Sequence, residues 1–245
     1  MYIVPLACAF AALVAAARPA HKILRELTKE RTLLLDLDDT LYSAASGLLE
    51  SLITANRSYI AHSIKCTEAE ANQLDEQYYR GYGLAIRGLM AEHDVNPRTY
   101  EEFLDNTIDY NLIDIDHALF SVLDSVKANI VIYTNSGVMH AERVLSELGV
   151  HKLVNAIVYG DHTSQGYYLK PNVESYIRVE NLLNAKPGQL YFVDDRKKNV
   201  EVALSRGWNG AQVVETGDSV VPSSKGMKQM SKVHELPTIF PELFS

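Results

Sequence analysis

Two aspartates separated by one residue, Asp36 and Asp38, follow a short apolar stretch and are the first residues that could do chemistry. Side chains two positions apart in a β-strand point to the same face, so these two carboxylates are expected to crowd each other. Like charges about 4 Å apart repel by about 4 kcal/mol at an effective dielectric of about 20. The pair therefore predicts a compensating positive charge beside it.

A second acidic pair, Asp194 and Asp195, follows the apolar stretch 190–193. If the two stretches form neighbouring strands, at least three carboxylates converge. Such a set of oxygen ligands fits Mg²⁺, which binds few carboxylates and keeps water molecules for a substrate phosphate. Zinc chemistry is excluded, because the chain has only Cys8 and Cys66 as cysteines and its eight histidines are scattered.

Three further residues complete an inventory for phosphate chemistry. Thr134 ends an apolar stretch and offers a hydroxyl and, with Asn135, backbone N–H groups for phosphoryl oxygens. Lys170, followed by Pro171, precedes a predicted helix and offers a positive charge. Acids, a hydroxyl and a lysine predict a phosphoryl-transfer site.

The predicted secondary structure puts these residues at strand ends or just before helices. Short apolar stretches predict strands, and apolar residues at helical spacing predict helices. The predicted strands are 32–37, 130–134, 156–159, 190–193 and 211–214. The predicted helices are 43–64, 68–82, 97–103, 116–126, 140–148, 173–183 and 199–206. Alternating strands and helices predict a parallel sheet, which binds ligands at the carboxyl ends of its strands.

Residues 43–113 contain predicted helices and no predicted strand. A lone strand at 32–37 cannot bury both of its faces, so it must join the later strands. The sequence therefore predicts an α/β fold with a core of residues 21–42 and 114–245 and an all-helical cap of residues 43–113 inserted between the first and second core strands. The tail after Glu215 is rich in turn residues and predicts no function.

Composition narrows the class of protein. The 245 residues are 47% hydrophobic and 22% charged, which is an ordinary globular balance. The net charge of −8 argues against general binding to a nucleic acid polymer or an anionic membrane. Nothing in the sequence indicates an oligomeric state.

The first 20 residues form an apolar N-terminal segment. Residues 1–17 carry no charged side chain and contain Pro5, and they are too short for a stable membrane span, which needs about 20 residues. They resemble the apolar part of a secretory signal but lack its basic start. A cleaved signal or short anchor is less favoured than an apolar helix packed on the domain or a start codon placed too early. The expected location is the cytoplasm, with access to the nucleus.

Four ordered motifs within residues 33–214 resemble those of the haloacid-dehalogenase-like phosphohydrolases. They are Asp36-x-Asp38-Asp39-Thr40, Thr134-Asn135, Lys170-Pro171 and Asp194-Asp195-x-x-x-Asn199. The resemblance implies a Rossmann-like parallel sheet with a helical cap, and an enzyme that hydrolyses phosphoric monoesters with Mg²⁺.

The resemblance also implies roles for the two leading acids. Asp36 would attack phosphorus and form an aspartyl phosphate, which divides one difficult step into two. Asp38 would protonate the leaving oxygen and then activate the hydrolytic water. The metal would be held by Asp36, the backbone carbonyl of Asp38 and Asp194.

The remaining motif residues receive supporting roles from the same resemblance. Thr134, Asn135 and Lys170 would stabilise charge on the transferring phosphoryl group. Asp195 would orient either Lys170 or a metal-bound water, and Asn199 would support the site structurally.

Within the cap, residues 78–83 and 87–89 are similar to the pyrimidine 5′-nucleotidase branch, which implies a nucleoside 5′-monophosphate such as UMP or CMP as substrate. Tyr79 and Tyr82 could then bind the base, although their spacing is more typical of core aromatics. Arg87 could also touch the substrate, although a solvated position is its default interpretation. By the same resemblance, Arg196 stands where many relatives have a small residue, a difference that concerns the reaction rate and the choice of substrate. The basic segment that begins at Arg196 is most simply interpreted as a solvated helix start.

Three alternatives stay open. One is a phosphatase for a sugar phosphate or another small phosphomonoester, which would use the same core residues. Another is a phosphoacceptor signalling module, against which the large helical insertion argues. The third is an inactive relative kept as an interaction partner, against which the intact motif residues argue.

Overall fold

The computed structural model describes residues 20–160, 168–215 and 224–245. The apolar segment 1–17 and the turn-rich stretch 216–223 lie outside the described residues. No helix in the described ranges combines the length and the apolar character needed to cross a membrane.

A seven-stranded sheet forms the centre of the fold. Its strands are β1 (His21–Ile23), β2 (Thr32–Leu35), β3 (Asn129–Tyr133), β4 (Ala156–Val158), β5 (Leu190–Asp194), β6 (Asn209–Val213) and β7 (Lys228–Met230). Their order is β1-β4-β3-β2-β5-β6-β7, and every pairing is parallel except that of β1 with β4. The predicted α/β class with a mainly parallel sheet is confirmed.

The central strands β2 to β5 are buried on both faces, which explains why their sequences are almost continuously apolar. On β2, Leu33 and Leu35 pack on one face with helices α5 (His117–Asp124) and α6 (Val138–Glu147). Leu34 packs on the other face with α7 (Val173–Leu183) and α8 (Lys197–Ser205). Strand β2 is thereby fixed at the middle of the sheet, with its carboxyl end between those of β3 and β5.

Four of the helices between β2 and β3 lie within residues 43–113: α1 (Leu48–Ile64), α2 (Glu68–Tyr82), α3 (Ala85–Glu92) and α4 (Pro97–Thr107). Thr67 and Glu70 form the predicted capping box at the start of α2. Asn96 caps α4, with Pro97 at the first helical position. These helices share a small core of their own around Tyr78, which is fully buried. Helix α3 was not delimited by the sequence pattern.

The edges of the sheet differ from the prediction. Strands β1 and β7 were not predicted, because their sequences, His-Lys-Ile and Lys-Gln-Met, are not apolar stretches. The part of the tail described from residue 224 onward contains β7 and a short helix, α9 (Leu236–Ile239), in place of turns alone. The first core strand is also shorter than predicted, since it ends at Leu35.

Candidate active site

The carboxyl ends of β2, β3 and β5 open into a cleft of about 1060 Å³ between the sheet and helices α1–α4. The cleft is lined from the sheet side by Asp36, Asp38, Thr134, Lys170 and Asp195. Residues from four separated parts of the chain therefore meet at one rim, as expected for an open parallel sheet.

Lys170 occupies the centre of a buried cluster. Its Nζ lies 2.9 Å from Oδ1 of Asp36 and 2.7 Å from Oδ2 of Asp194. The ammonium also lies over the rings of Tyr133 and Phe192, at 5.1 and 5.4 Å from their centroids. Burial would lower the pKa of Lys170, but Asp194 and Asp36 raise it, so the lysine keeps its charge.

Asp194 is fully buried, and both of its oxygens already accept hydrogen bonds. Oδ1 accepts from the backbone N–H of Arg196 at 2.8 Å and from Nδ2 of Asn199 at 2.9 Å. Oδ2 accepts from Lys170 at 2.7 Å and also from Asn199 at 3.0 Å. The expected support from Asn199 thus consists of holding the carboxylate that anchors the lysine.

One of the two roles expected for Asp195 was to orient Lys170. The ion pairs of Lys170 are instead with Asp36 and Asp194. Asp194 is the last residue of β5 and lies on the same face as Phe192, beneath the lysine, whereas Asp195 lies one residue beyond the strand. Burial and the charge of Asp36 raise the pKa of Asp195 to about 6. The orientation of Lys170 therefore belongs to Asp194.

One oxygen from each of Asp36, Asp194 and Asp195 lies within 4.8 Å of the other two. Burial, followed by the charge of Asp194, raises the pKa of Asp36 well above its usual range. The neighbouring Asp39 has a positive φ of 55° and a buried Oδ1 with no hydrogen-bond partner among the described residues. A buried all-oxygen cluster with excess negative charge fits a hard divalent cation such as Mg²⁺.

The side chain of Asp38 points to other partners. Its Oδ1 accepts from Tyr42 Oη at 2.6 Å and lies 2.8 Å from His140 Nε2. Its Oδ2 accepts from Ser136 Oγ at 2.5 Å. Burial opposes ionisation, but His140, Ser136 and Tyr42 outweigh it and lower the pKa of Asp38 to about 2. The carboxylate lines the cleft in its ionised form.

Tyr42, Ser136 and His140 were not predicted from the sequence to belong to the site. Ser136 could have been found, because it lies two residues beyond Thr134 at the end of β3. His140 lies in α6 among apolar residues and is only 7% exposed. A lone histidine in such a pattern usually indicates a core position, so no useful signal for His140 was present in the sequence.

Thr134 and Asn135 follow β3 directly, and both line the cleft. The backbone N–H of Thr134 donates to the Val158 carbonyl at 3.0 Å, so it is not available to a phosphoryl oxygen. The Thr134 hydroxyl accepts from the Ser136 N–H at 3.0 Å and keeps its own proton to donate. The Asn135 side chain bonds the backbone of Lys170 twice, at 2.9 and 3.0 Å. Asn135 therefore fixes the position of the lysine.

Of the three cap residues expected to bind substrate, Tyr79 and Arg87 line the cleft and Tyr82 does not. Tyr79 and Tyr82 are 50% and 38% exposed, so the interpretation of either one as a core aromatic is wrong. Tyr79 lines the cleft, and its hydroxyl accepts from Nη1 of Arg196 at 2.8 Å. The hydroxyl of Tyr82 instead donates to Glu92 at 3.0 Å. Arg87 lines the cleft. Arg196 thus connects the core to the cap and is not simply part of a solvated helix start.

A lysine between two buried aspartates, a hydroxyl and a further carboxylate meet at the rim of the parallel sheet, and these are the kinds of group that phosphoryl transfer uses. The sequence matches the family model described as haloacid dehalogenase-like hydrolase over residues 30–205. The protein belongs to this family, which confirms the resemblance at the level of the superfamily.

Individual relatives are more distant. Phosphate metabolism protein 8 of Saccharomyces cerevisiae is 26% identical over 188 residues, which cover 70% of this chain and 58% of the yeast protein. The chain thus spans less than two thirds of that relative. A HAD phosphatase from Thermococcus onnurineus superposes with a TM-score of 0.59 at 15% identity, covering 85% of this chain and 97% of that one. The hydrolase YfnB of Bacillus subtilis, in a magnesium-bound structure, gives 0.55 at 16% identity, covering 86% and 99%. These structures establish the fold.

Proposed function

We propose that the protein is a Mg²⁺-dependent phosphomonoesterase that hydrolyses nucleoside 5′-monophosphates, with a preference for pyrimidine nucleotides such as UMP and CMP, through an aspartyl phosphate. The observation that carries the proposal is the pairing of Asp36 with Lys170 at 2.9 Å, beside the cleft that the Asp38 carboxylate also lines. Family membership supports hydrolysis. The nucleotide part depends on the cap sequence at 78–83 and 87–89.

In the first step, an oxygen of Asp36 forms a bond to phosphorus while the bond to the leaving nucleoside oxygen breaks. Asp38 gives a proton to that oxygen. Because Asp38 is ionised in the free protein, it must acquire this proton when the substrate binds; a phosphate dianion beside the carboxylate raises its pKa and favours this. In the second step, Asp38 takes a proton from water as the water oxygen attacks phosphorus and releases Asp36.

Lys170 supplies a fixed positive charge to the phosphoryl oxygens, and the hydroxyl of Thr134 supplies a hydrogen-bond donor. The metal would be held by Asp36, Asp195 and the backbone carbonyl of Asp38, because the oxygens of Asp194 are already occupied by other donors. When bound, Mg²⁺ supplies positive charge that offsets the clustered carboxylates and the phosphate.

The helices of residues 43–113 would act as the cap that excludes water and selects the leaving group. Tyr79 supports this role, because it is half-exposed and lines the cleft from the cap side. Its ring could stack on a base. Arg87 also lines the cleft, whereas Tyr82 is not among the lining residues and is not proposed as a contact.

The test is a phosphate-release screen with Mg²⁺ and with a chelator, across nucleoside monophosphates, sugar phosphates and p-nitrophenyl phosphate. We expect the highest kcat/KM with UMP or CMP and loss of activity with the chelator. Higher kcat/KM with a sugar phosphate would keep the reaction and change the substrate. Absence of phosphate release from every ester would refute the proposal.

Asp36→Asn tests the nucleophile. We expect it to abolish turnover and leave the circular dichroism spectrum unchanged, because an amide is a much poorer nucleophile of nearly the same shape. The matched control is Asp124→Asn at the exposed end of α5, which should keep full activity. Turnover by the Asp36 variant would show that another group attacks phosphorus.

A further inference from the structure

His140 is a buried histidine that directly contacts the carboxylate of Asp38. It lies in α6, on the helix that follows the Thr134 strand. Its Nε2 lies 2.8 Å from Oδ1 of Asp38, and its Nδ1 lies 3.0 Å from the hydroxyl of Tyr110. Tyr110 is also buried, and it belongs to the turn Tyr110–Leu112 that leads from the helical insertion back to the core. The three residues form a continuous hydrogen-bonded chain.

The direction of these hydrogen bonds follows from the groups themselves. An ionised carboxylate can only accept, so Nε2 of His140 must carry a hydrogen and donate it to Asp38. In a neutral imidazole Nδ1 is then an acceptor, and the Tyr110 hydroxyl donates to it. The Asp38 carboxylate thereby places the hydrogen on Nε2, and Tyr110, whose hydroxyl can donate or accept, holds the opposite side of the ring and fixes its plane.

These donors make the two oxygens of Asp38 unequal. Oδ1 receives two donors, from Tyr42 at 2.6 Å and from His140 at 2.8 Å. Oδ2 receives one, from the Ser136 hydroxyl at 2.5 Å. A carboxylate oxygen has two lone-pair sites, so Oδ1 is saturated while Oδ2 retains one site. The proton that is passed to the leaving oxygen must therefore be carried by Oδ2.

We propose that Tyr110 and His140 are positioning residues that hold Asp38 so that Oδ2 is the oxygen that exchanges protons with the leaving group and with water. This inference rests on the proposed phosphomonoesterase function. In the first step the proton leaves Oδ2 for the departing oxygen as the ester P–O bond breaks and the bond from Asp36 to phosphorus forms. In the second step Oδ2 takes a proton from the attacking water as the bond from Asp36 to phosphorus breaks.

The test compares a poor leaving group with a good one. UMP, or the most active alkyl ester of the screen, leaves as an alkoxide that needs a proton, whereas p-nitrophenolate leaves without one. We expect His140→Leu to lower kcat/KM about tenfold or more for the alkyl ester, the effect of one well-placed hydrogen bond, and less than about twofold for p-nitrophenyl phosphate. KM for the alkyl ester should stay nearly constant, because His140 acts through Asp38.

Conservative variants separate positioning from packing. His140→Gln keeps a donor near the place of Nε2 and should recover activity to within about threefold of the wild type. Tyr110→Phe removes only the hydroxyl and should fall between the two His140 variants. The control is His151→Gln, whose partly exposed side chain lies 3.8 Å from Glu142, and it should match the wild type for both esters. Thermal unfolding of each variant checks that the fold is kept.

Equal losses for both esters, or no loss in any variant of His140 and Tyr110, would overturn the positioning role and leave the proposed function intact. If His140→Leu does not fold, the comparison of Tyr110→Phe with the wild type decides in the same way. A wild-type protein that hydrolyses no ester would refute the proposed function itself, and the positioning role with it.

Discussion

The two aspartates at the end of β5 should respond in opposite ways to replacement by asparagine. Asp195 has a pKa of about 6 in the folded protein, raised from an ordinary value of 3.8 by burial and by Asp36. A raised pKa means that the folded state binds the proton more tightly than the unfolded state, so stability is lost as pH rises from about 4 through about 6. A shift of about two units corresponds to about 3 kcal/mol, which partial exposure reduces to about 1–3 kcal/mol.

Asp195→Asn should therefore raise the free energy of unfolding of the metal-free protein by about 1–3 kcal/mol at pH 7.5 and change it little at pH 4. Asp194→Asn should instead lower it by about 3–5 kcal/mol, because it removes one partner from a buried ion pair with Lys170. The assay is urea unfolding with a chelator at both pH values, with Asp124→Asn as the control for loss of an exposed carboxylate.

Adding Mg²⁺ completes the comparison. At about 100 times its dissociation constant, a bound ion stabilises the folded state by about 2.7 kcal/mol. We expect this gain in the wild type and in Asp194→Asn, and its loss in Asp195→Asn. The reasoning is refuted if Asp195→Asn keeps the Mg²⁺ effect while Asp194→Asn loses it, since Asp194 would then be the ligand, as the sequence analysis expected.

Two further predictions concern the cap. Gly88→Ala should destabilise the protein by about 1–3 kcal/mol in urea unfolding, because the new Cβ would lie 2.1 Å from Cγ of Tyr78. The control Gly81→Ala meets no atom within 4 Å and should be neutral or stabilising by up to about 1 kcal/mol. Equal effects of the two substitutions would contradict this packing. Arg196→Gln and Tyr79→Phe each weaken the contact between core and cap, so both variants should raise KM severalfold. The stabilisation of the folded state by Mg²⁺ should not change. An unaltered KM in both variants would show that the contact does not help to close the cleft.

The sequence predicted the parts of the fold whose local signals agree with the tertiary structure. Helix α7 was predicted with its observed bounds, Val173–Leu183, because its helical spacing is uninterrupted between loops. The start of α2 was predicted because Thr67 and Glu70 satisfy each other's backbone at the helix end. The three-residue strands β1 and β7 could not be predicted, since their pairing is decided by neighbours distant in sequence.

The same distinction explains the site. The convergence of Asp36, Lys170 and the acidic pair at 194–195 could be predicted, because strand ends of a parallel sheet share one rim. The different roles of Asp194 and Asp195 could not be predicted, because they depend on which face of β5 each side chain takes. Asp194 alternates with Phe192 and lies beneath the lysine, and that register is fixed only when β5 pairs with β2.

The core and the cap carry different information about function. Most of the groups proposed to carry out the reaction lie at strand ends that the sheet register fixes, so the proposed reaction depends on the core. The groups proposed to meet the leaving group lie on helices, and Tyr79 reaches the core through Arg196, one residue beyond the acidic pair. This contact joins the cap side of the cleft directly to the core beside the acidic cluster. Substitutions of Tyr79 and Arg196 should therefore alter the ranking of substrates, while the requirement for Mg²⁺ and for Asp36 stays the same for every substrate.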